Sequence, residues 1–282
     1  MVGKTIKKWW PIFVVPTLAA FIIGFLWPFI WGIYLSFCKF TTVQDVTFVG
    51  FSNYQKILLD NTFSHAFWLT VAFAFISSIL INVLAFAIAL ALTKGFKGTN
   101  AFRTVFFMPN PIGGIVLGYI WQTLLNGLLS KWGQPLLALS AKNGFIGMLI
   151  LLCWQQIGYM MIIYISGLQA IPTDVMEATE IDGANGVQKL FRVTLPMMMP
   201  SITICTFLTL TNGFKLFDQN LALTGGAPMK QTELMALNIY QTFYGRVGFE
   251  GVGQAKAVIF FLIVIVMAGL QQYFTKSKEV QQ

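Results

Sequence analysis

What this chain has least of is charge. Only 10% of its 282 residues are Asp, Glu, Lys or Arg, 18 basic against 10 acidic, with a single histidine. A soluble domain carries about 25% charged residues, so this one is short of the groups that would cover a water-facing surface. That shortage disfavours a soluble enzyme, a nucleic-acid-binding protein and a disordered chain. The net charge of +8 could by itself suit nucleic acid. In a sequence that is 56% hydrophobic, with mean hydropathy +0.72, the basic residues fit membrane orientation signals better.

Catalytic chemistry is equally scarce. There is no G-x-x-x-x-G-K-[ST] loop and no H-E-x-x-H pair, and one histidine leaves little room for a His-based triad. His65 sits where a loop meets an apolar stretch and reads as an interfacial residue. Cys38, Cys153 and Cys205 have no paired spacing and read as small buried hydrophobes, which gives neither a disulfide framework nor a metal site. No catalytic residue and no metal ligand is expected.

What the chain does have is long uncharged runs. Cutting it at charged residues and His65 leaves Trp9–Cys38, Ala66–Thr93, Thr104–Ser130, Asn143–Thr173, Val193–Phe214 and Ala257–Thr275, of 30, 28, 27, 31, 22 and 19 residues. Crossing ~30 Å of hydrocarbon takes roughly 20 apolar residues. Backbone groups in lipid must be satisfied internally, so these runs predict helices; the alternating ten-residue segments of a β-barrel are absent. The expected fold is all-α, a single transmembrane domain over residues 1–282 with six spans. The first run follows Lys4, Lys7 and Lys8 but is far longer than the roughly 7–15 apolar residues of a secretory signal. It is therefore kept as a span.

Basic residues are denser in segments 1–8, 94–103, 174–192 and 276–282 (10 in 44 residues) than in 39–65, 131–142 and 215–256 (8 in 81). This places both termini in the cytoplasm. None of the six runs contains Asp or Glu, which argues against a proton-coupled pump. A path through them would be lined by neutral polar and aromatic groups, suited to a neutral, hydroxyl-rich solute. The alternative is that such groups only hydrogen-bond neighbouring helices.

Three places offer those groups. The third run begins Pro109-Asn110-Pro111, followed by Gly113 and Gly114, which predicts an interrupted start whose freed backbone could face a cavity. The fourth holds Gln155 and Tyr159, four apart, beside Gly158. The fifth ends with Thr209, Asn212 and Gly213, then Lys215 and Asp218 near the outer surface. Most of the tryptophans fall near span ends as interfacial anchors, and only Trp121 and Trp154 lie deep enough to be considered for stacking on a sugar.

The segment between the fourth and fifth runs, 174–196, departs from the positive-inside pattern. Asp174, Glu177, Glu180 and Asp182 outnumber Lys189 and Arg192 there. Its grammar is helix, turn, helix. Pro172 precedes Asp174-x-x-Glu177, which resembles a capping box with Asp in the cap position. Gly183 can take the left-handed conformation that stops a helix, and a second helix is expected over about Gly186–Leu195. Acidic charge is wrong for anionic lipid, which favours docking on a protein over lying on the membrane.

Glu177-Ala178-Thr179-x-x-Asp182-Gly183-Ala184, then Leu195-Pro196-x-x-x-Pro200, resembles the EAA motif of permease subunits in binding-protein-dependent (type I) ABC importers. Gly167-Leu168-Gln169-Ala170-Ile171-Pro172 and Arg103-Thr-Val-Phe-Phe-Met-Pro109 strengthen the likeness. So does Thr224-Gly225-Gly226-Ala227-Pro228, with Phe217-Asp218 before it and Thr232 after it. The resemblance covers nearly the whole chain and points to the carbohydrate branch, the maltose- and glycerol-3-phosphate-type permeases. Thr179 stands where a second Ala is usual, and Leu190-Phe191 where a Phe more commonly comes first.

The resemblance implies that segment 174–196 forms coupling helices docking on a cytoplasmic ATPase. Glu177, Ala178, Asp182, Gly183 and Ala184 would form the contact. It implies a second homologous permease, usually a different chain, two ATPase copies that bind ATP and Mg, and an extracytoplasmic sugar-binding protein. This chain itself would bind membrane lipid, no cofactor and no nucleic acid, in a bacterial or archaeal cytoplasmic membrane. The family's sugar site falls by local spacing on Asn110, Gly114, Gly158, Thr209 and Gly213; Tyr159 and Asn212 are added for their side chains. The implied function is a permease subunit for a sugar. Rival readings are a permease for glycerol-3-phosphate or a glycerophosphodiester, an ATP-independent channel, and a non-transporting scaffold or sensor using the same loop.

Overall fold

Apolar helices dominate the computed structural model, which describes residues 2–42, 44–95 and 97–276. Lys278, one of the basic residues counted for orientation, lies outside the described residues, as do the side chains of Lys4, Lys7, Lys8 and Lys276. The chain divides into two units, one of Met1–Asp60 with Ile239–Phe261, the other of Asn61–Asn238 with Leu262–Gln282.

In the first unit, α1 (Val2–Phe21) runs through a π-helical turn, Ile22–Leu26, into α2 (Trp27–Leu35). A two-residue antiparallel pair follows, β1 (Cys38–Lys39) with β2 (Thr47–Phe48), then α3 (Ser52–Leu58). This short hairpin departs from the all-α expectation; two-residue strands leave no periodicity to read. Polar side chains tie the unit together. Asn53 donates from Nδ2 to the carbonyls of Ser36 and Cys38, each at 2.9 Å. The almost fully buried Lys256 ammonium meets Asp60 and Thr242, each at 2.8 Å.

The second unit contains α4 (Asn61–Thr93), α5 (Thr99–Phe107), α6 (Gly114–Lys131), α7 (Ala141–Gln169) and α8 (Thr173–Ile181). After these come α9 (Gly186–Lys189), a π turn at Leu190–Thr194, α10 (Leu195–Met197), α11 (Met199–Phe214) and α12 (Asp218–Leu223). Two further helices begin in one unit and continue in the other, α13 (Met235–Gly245) and α14 (Glu250–Lys276). Helix α4 packs along α7 and α11, while α5, α6 and α12 pack on α7 or on one another. Fully buried Ala74, Ala85 and Ala89 on α4 keep these crossings close, as small residues do between helices in lipid, where no hydrophobic force draws helices together.

Among the described residues, four helical stretches are long and apolar enough to cross a membrane: Trp9–Leu35, Asn61–Thr93, Ala141–Gln169 and Glu250–Thr275. A fifth arises if Gly186–Met197 and Met199–Phe214, bent by 72°, count as one span. The run expected at Thr104–Ser130 is not one helix. It breaks between Phe107 and Gly114, because Pro109 and Pro111 lack N–H donors and bias their predecessors away from helix. The remaining piece, α6, has 18 residues and is diluted by Gln122, Thr123 and Asn126.

Candidate functional site

A polar cavity of about 340 Å³ lies in the second unit, where α7 and the end of α11 meet two breaks in helical structure. Asn110 comes from the turn before α6, closed by Asn110 N–H to the Phe107 carbonyl at 3.1 Å and Ile112 N–H to the Pro109 carbonyl at 3.2 Å. Gln155 and Gln156 come from α7 and Asn212 from α11. Lys215, Leu216, Phe217, Asp218 and Gln219 come from the chain that leaves α11 and starts α12. The cavity therefore forms where helices stop, so backbone and amide groups can face open space without lipid contact.

Its amides are partly paired. Gln155 donates from Nε2 to the Ile112 carbonyl at 3.1 Å and accepts at Oε1 from Gln219 Nε2 at 2.7 Å. Asn212 donates from Nδ2 to Gln156 Oε1 at 3.2 Å. Among the described residues, the side chains of Asn110, Lys215 and Asp218 have no hydrogen bond or ion pair. Asp218 is half-buried and Lys215 exposed. Behind α12, Asn220 donates from Nδ2 to the Thr232 carbonyl at 2.8 Å and accepts from Leu234 N–H at 3.0 Å. Thr232 Oγ1 reaches Thr224 Oγ1 at 2.9 Å. The Thr224–Pro228 motif with Thr232 thus fastens the loop that holds Asp218 and Gln219 in place.

Of the seven residues expected on a solute path, Asn110 and Asn212 line this cavity. Three glycines serve close helix crossings instead. A Cβ on Gly114 would sit 2.7 Å from Asp218 Cβ, one on Gly158 would overlap the Phe106 carbonyl, and one on Gly213 would lie 2.8 Å from Ala74 Cα. Tyr159 is exposed with its ring 6.5 Å from that of Phe107. Thr209 is fully buried in a polar cluster, 2.8 Å from both Ser78 Oγ and Asn82 Nδ2, and Tyr164 donates to Asn82 Oδ1 at 2.6 Å. Trp121 and Trp154 pair with each other at 5.3 Å and do not line the cavity. Sequence reasoning missed Gln156 and Gln219. The available signals were two adjacent glutamines in an apolar run and the polar triplet Asp218-Gln219-Asn220 beside the span end.

The acidic segment is a helical hairpin with two interlocking caps. Helix α8 closes with a Schellman motif: Ala184 N–H bonds to the Thr179 carbonyl at 3.2 Å, Gly183 N–H to the Glu180 carbonyl at 3.1 Å. Gly183 has the left-handed φ of 72° that this motif requires. The capping box lies elsewhere than expected. Pro172 occupies the cap position of α8 without a side-chain bond, and Asp174 sits inside the first turn. The reciprocal box is Asn185 with Gln188 at the start of α9. Lys189 bridges back to Glu180 at 2.8 Å and, through that hydrogen bond first and its charge second, holds the Glu180 carboxyl below its ordinary range. Glu177, Ala178, Asp182 and Gly183 are exposed and Ala184 half-buried. Apolar Ile181, Val187 and Phe191 are exposed on the same hairpin.

Residues 82–280 match the family described as the binding-protein-dependent transport system inner membrane component. The chain is 41% identical to the probable starch degradation products transport system permease protein AmyD of Thermoanaerobacterium thermosulfurigenes, over 97% of this chain and 96% of that one. It is 31% identical to the multiple sugar-binding transport system permease protein MsmF of Streptococcus mutans, over 99% of both. The fold is similar to that of a chain in the crystal structure of a bacterial ABC transporter involved in import of the acidic polysaccharide alginate. The TM-score is 0.82 at 19% identity, covering 98% of each chain. With its apolar helices and a match over residues 82–280, this chain belongs to the family of inner-membrane permease components of binding-protein-dependent ABC importers, and it is a transport subunit, not an enzyme.

Proposed function

We propose that this chain, as one domain, forms with a second, homologous permease the membrane path of a sugar importer. The cavity carries this reading. Five amides, one carboxylate and one ammonium around about 340 Å³ offer mixed donors and acceptors to a hydroxyl-rich solute, with Phe217 as an apolar surface. The sugar systems named for the relatives support the same class of cargo. On this reading α5 with α6, and the bent pair ending in α11, complete six spans in a bacterial or archaeal membrane, with both termini cytoplasmic.

The hairpin is the ATPase contact in this reading. Exposed acidic Glu177 and Asp182 with apolar Ile181, Val187 and Phe191 form a surface suited to a protein groove rather than to anionic lipid. Ala178, Gly183 and Ala184 permit close approach. ATP and Mg bind to the two ATPase copies, and an extracytoplasmic binding protein delivers the solute. A phosphorylated solute is the second reading, favoured by the exposed Lys215 at the cavity.

Reconstitution with the partner permease, ATPase and binding protein tests the proposal. ATP-dependent uptake of a neutral oligosaccharide is expected, with Glu177→Lys uncoupling hydrolysis from uptake. Flux without ATP, or uptake unaffected by Glu177→Lys and by a bulky residue at Gly183, would contradict it.

A further inference from the structure

Hydrogen-bond accounting decides which polar atoms a solute meets in the cavity. An amide carries donors on one atom and an acceptor on the other, so its orientation follows from its partners. The Ile112 carbonyl can only accept, so it holds Gln155 Nε2. Gln155 Oε1 then faces Gln219, which turns its own Nε2 inward to meet it. Besides the second N–H of its Nε2, Gln219 leaves over Oε1, an acceptor, and Asp218 brings to the same cavity a carboxylate that only accepts. The Asn212–Gln156 pair leaves one unbonded amide oxygen, one unbonded NH2 and the second N–H of the bonded nitrogen, whichever way round it is set.

A sugar hydroxyl both donates and accepts, so it can complete every one of these groups. A carboxylate or phosphate oxygen without its proton only accepts. Placed against Asp218 and Gln219 Oε1 it would leave acceptor facing acceptor, with its own desolvation uncompensated. Lys215 does not cancel this, because it is exposed while Asp218 is half-buried, and water screens the better-solvated charge more strongly.

We propose that Asp218 and Gln219 form an acceptor wall that sets specificity, taking hydroxyl donors of neutral sugars and turning away anionic solutes. Gln155 is its positioning residue, acting through Gln219. The inference rests on reading the cavity as the sugar path and names the charge class that the path accepts.

The test uses the complete transporter in detergent without its binding protein, so that the binding protein's own selectivity plays no part. Maltotriose and a trisaccharide of galacturonic acid are compared by saturation-transfer NMR at fixed ionic strength. The wild type should bind the neutral sugar at least about tenfold more tightly than the anionic one. Asp218→Asn should narrow that ratio, chiefly by improved binding of the anion. Gln155→Leu, which frees the Gln219 amide to turn, should narrow it too. If Asp218→Asn fails to assemble, Gln219→Leu should narrow the ratio by weakening the neutral sugar alone. Equal binding of both sugars by the wild type, or a ratio unchanged in the variants, would overturn the wall while leaving the sugar path standing. Absence of maltotriose binding to the wild type would overturn the sugar path and the wall with it.

Discussion

Two polar regions share helices α7 and α11 and are built from similar side chains, yet they differ in what is left unpaired. In the cluster of Ser78, Asn82, Tyr164 and Thr209 the groups close on one another. Thr209 is bonded to Ser78, Asn82 and the Cys205 carbonyl, and Asn82 to Tyr164 and the Ser78 carbonyl. In the cavity, Asn110, Lys215 and Asp218 have no side-chain partner among the described residues. A closed network in an apolar helix bundle is adhesive between helices. A network with groups left over on an open space is available to a solute. Polarity alone does not separate glue from site; leftover hydrogen-bonding capacity does.

The largest effect should come from breaking the frame that both regions depend on. Gly158→Val would drive a side chain into the Phe106 carbonyl and cost at least the ~1–3 kcal/mol of an overpacked core. Loss of assembled protein on size-exclusion chromatography checks this. Next, Gln156→Leu should lower oligosaccharide uptake about tenfold, with a smaller fall in thermal unfolding midpoint than Asn82→Leu, because it gives up one bond to Asn212 while the rest of its amide serves the cavity. Asn82→Leu should do the reverse, destabilising by about 0.6–2 kcal/mol while uptake per assembled transporter stays level. Equal loss of uptake in both variants would erase the distinction between the regions.

The smallest effect concerns the hairpin. The folded-state pKa of Glu180 is lowered by Lys189, so its contribution is present above the ordinary carboxylate pKa. It is lost as pH falls through the lower folded value. Both partners reach solvent, which keeps this contribution small. The difference in unfolding midpoint between the protein and Glu180→Gln should be slight at neutral pH and vanish in acid.

Local features were legible in the sequence and cross-chain ones were not. Gly183 as the left-handed stop and the break at Pro109–Pro111 follow from backbone sterics of the residues themselves. The capping box is ambiguous in sequence because Asp174-x-x-Glu177 and Asn185-x-x-Gln188 both have the right spacing, and only the backbone shows Pro172 at the first cap. Gly114, Gly158 and Gly213 carried no local sign that each faces another helix, since that depends on a neighbour far along the chain. Thr209 and Asn212 look alike in sequence, three residues apart on α11, and the fold sends one into the cluster and the other to the cavity.

That last pair offers the most direct test. In a background with Cys38, Cys153 and Cys205 replaced, Asn212→Cys and Thr209→Cys are labelled separately with a membrane-impermeant maleimide, with and without transported sugar. The thiol at position 212 should be labelled, with sugar slowing its labelling, while the thiol at position 209 stays unreactive. Labelling at both positions alike, or labelling at 212 that sugar does not slow, would contradict the distinction between cluster and cavity.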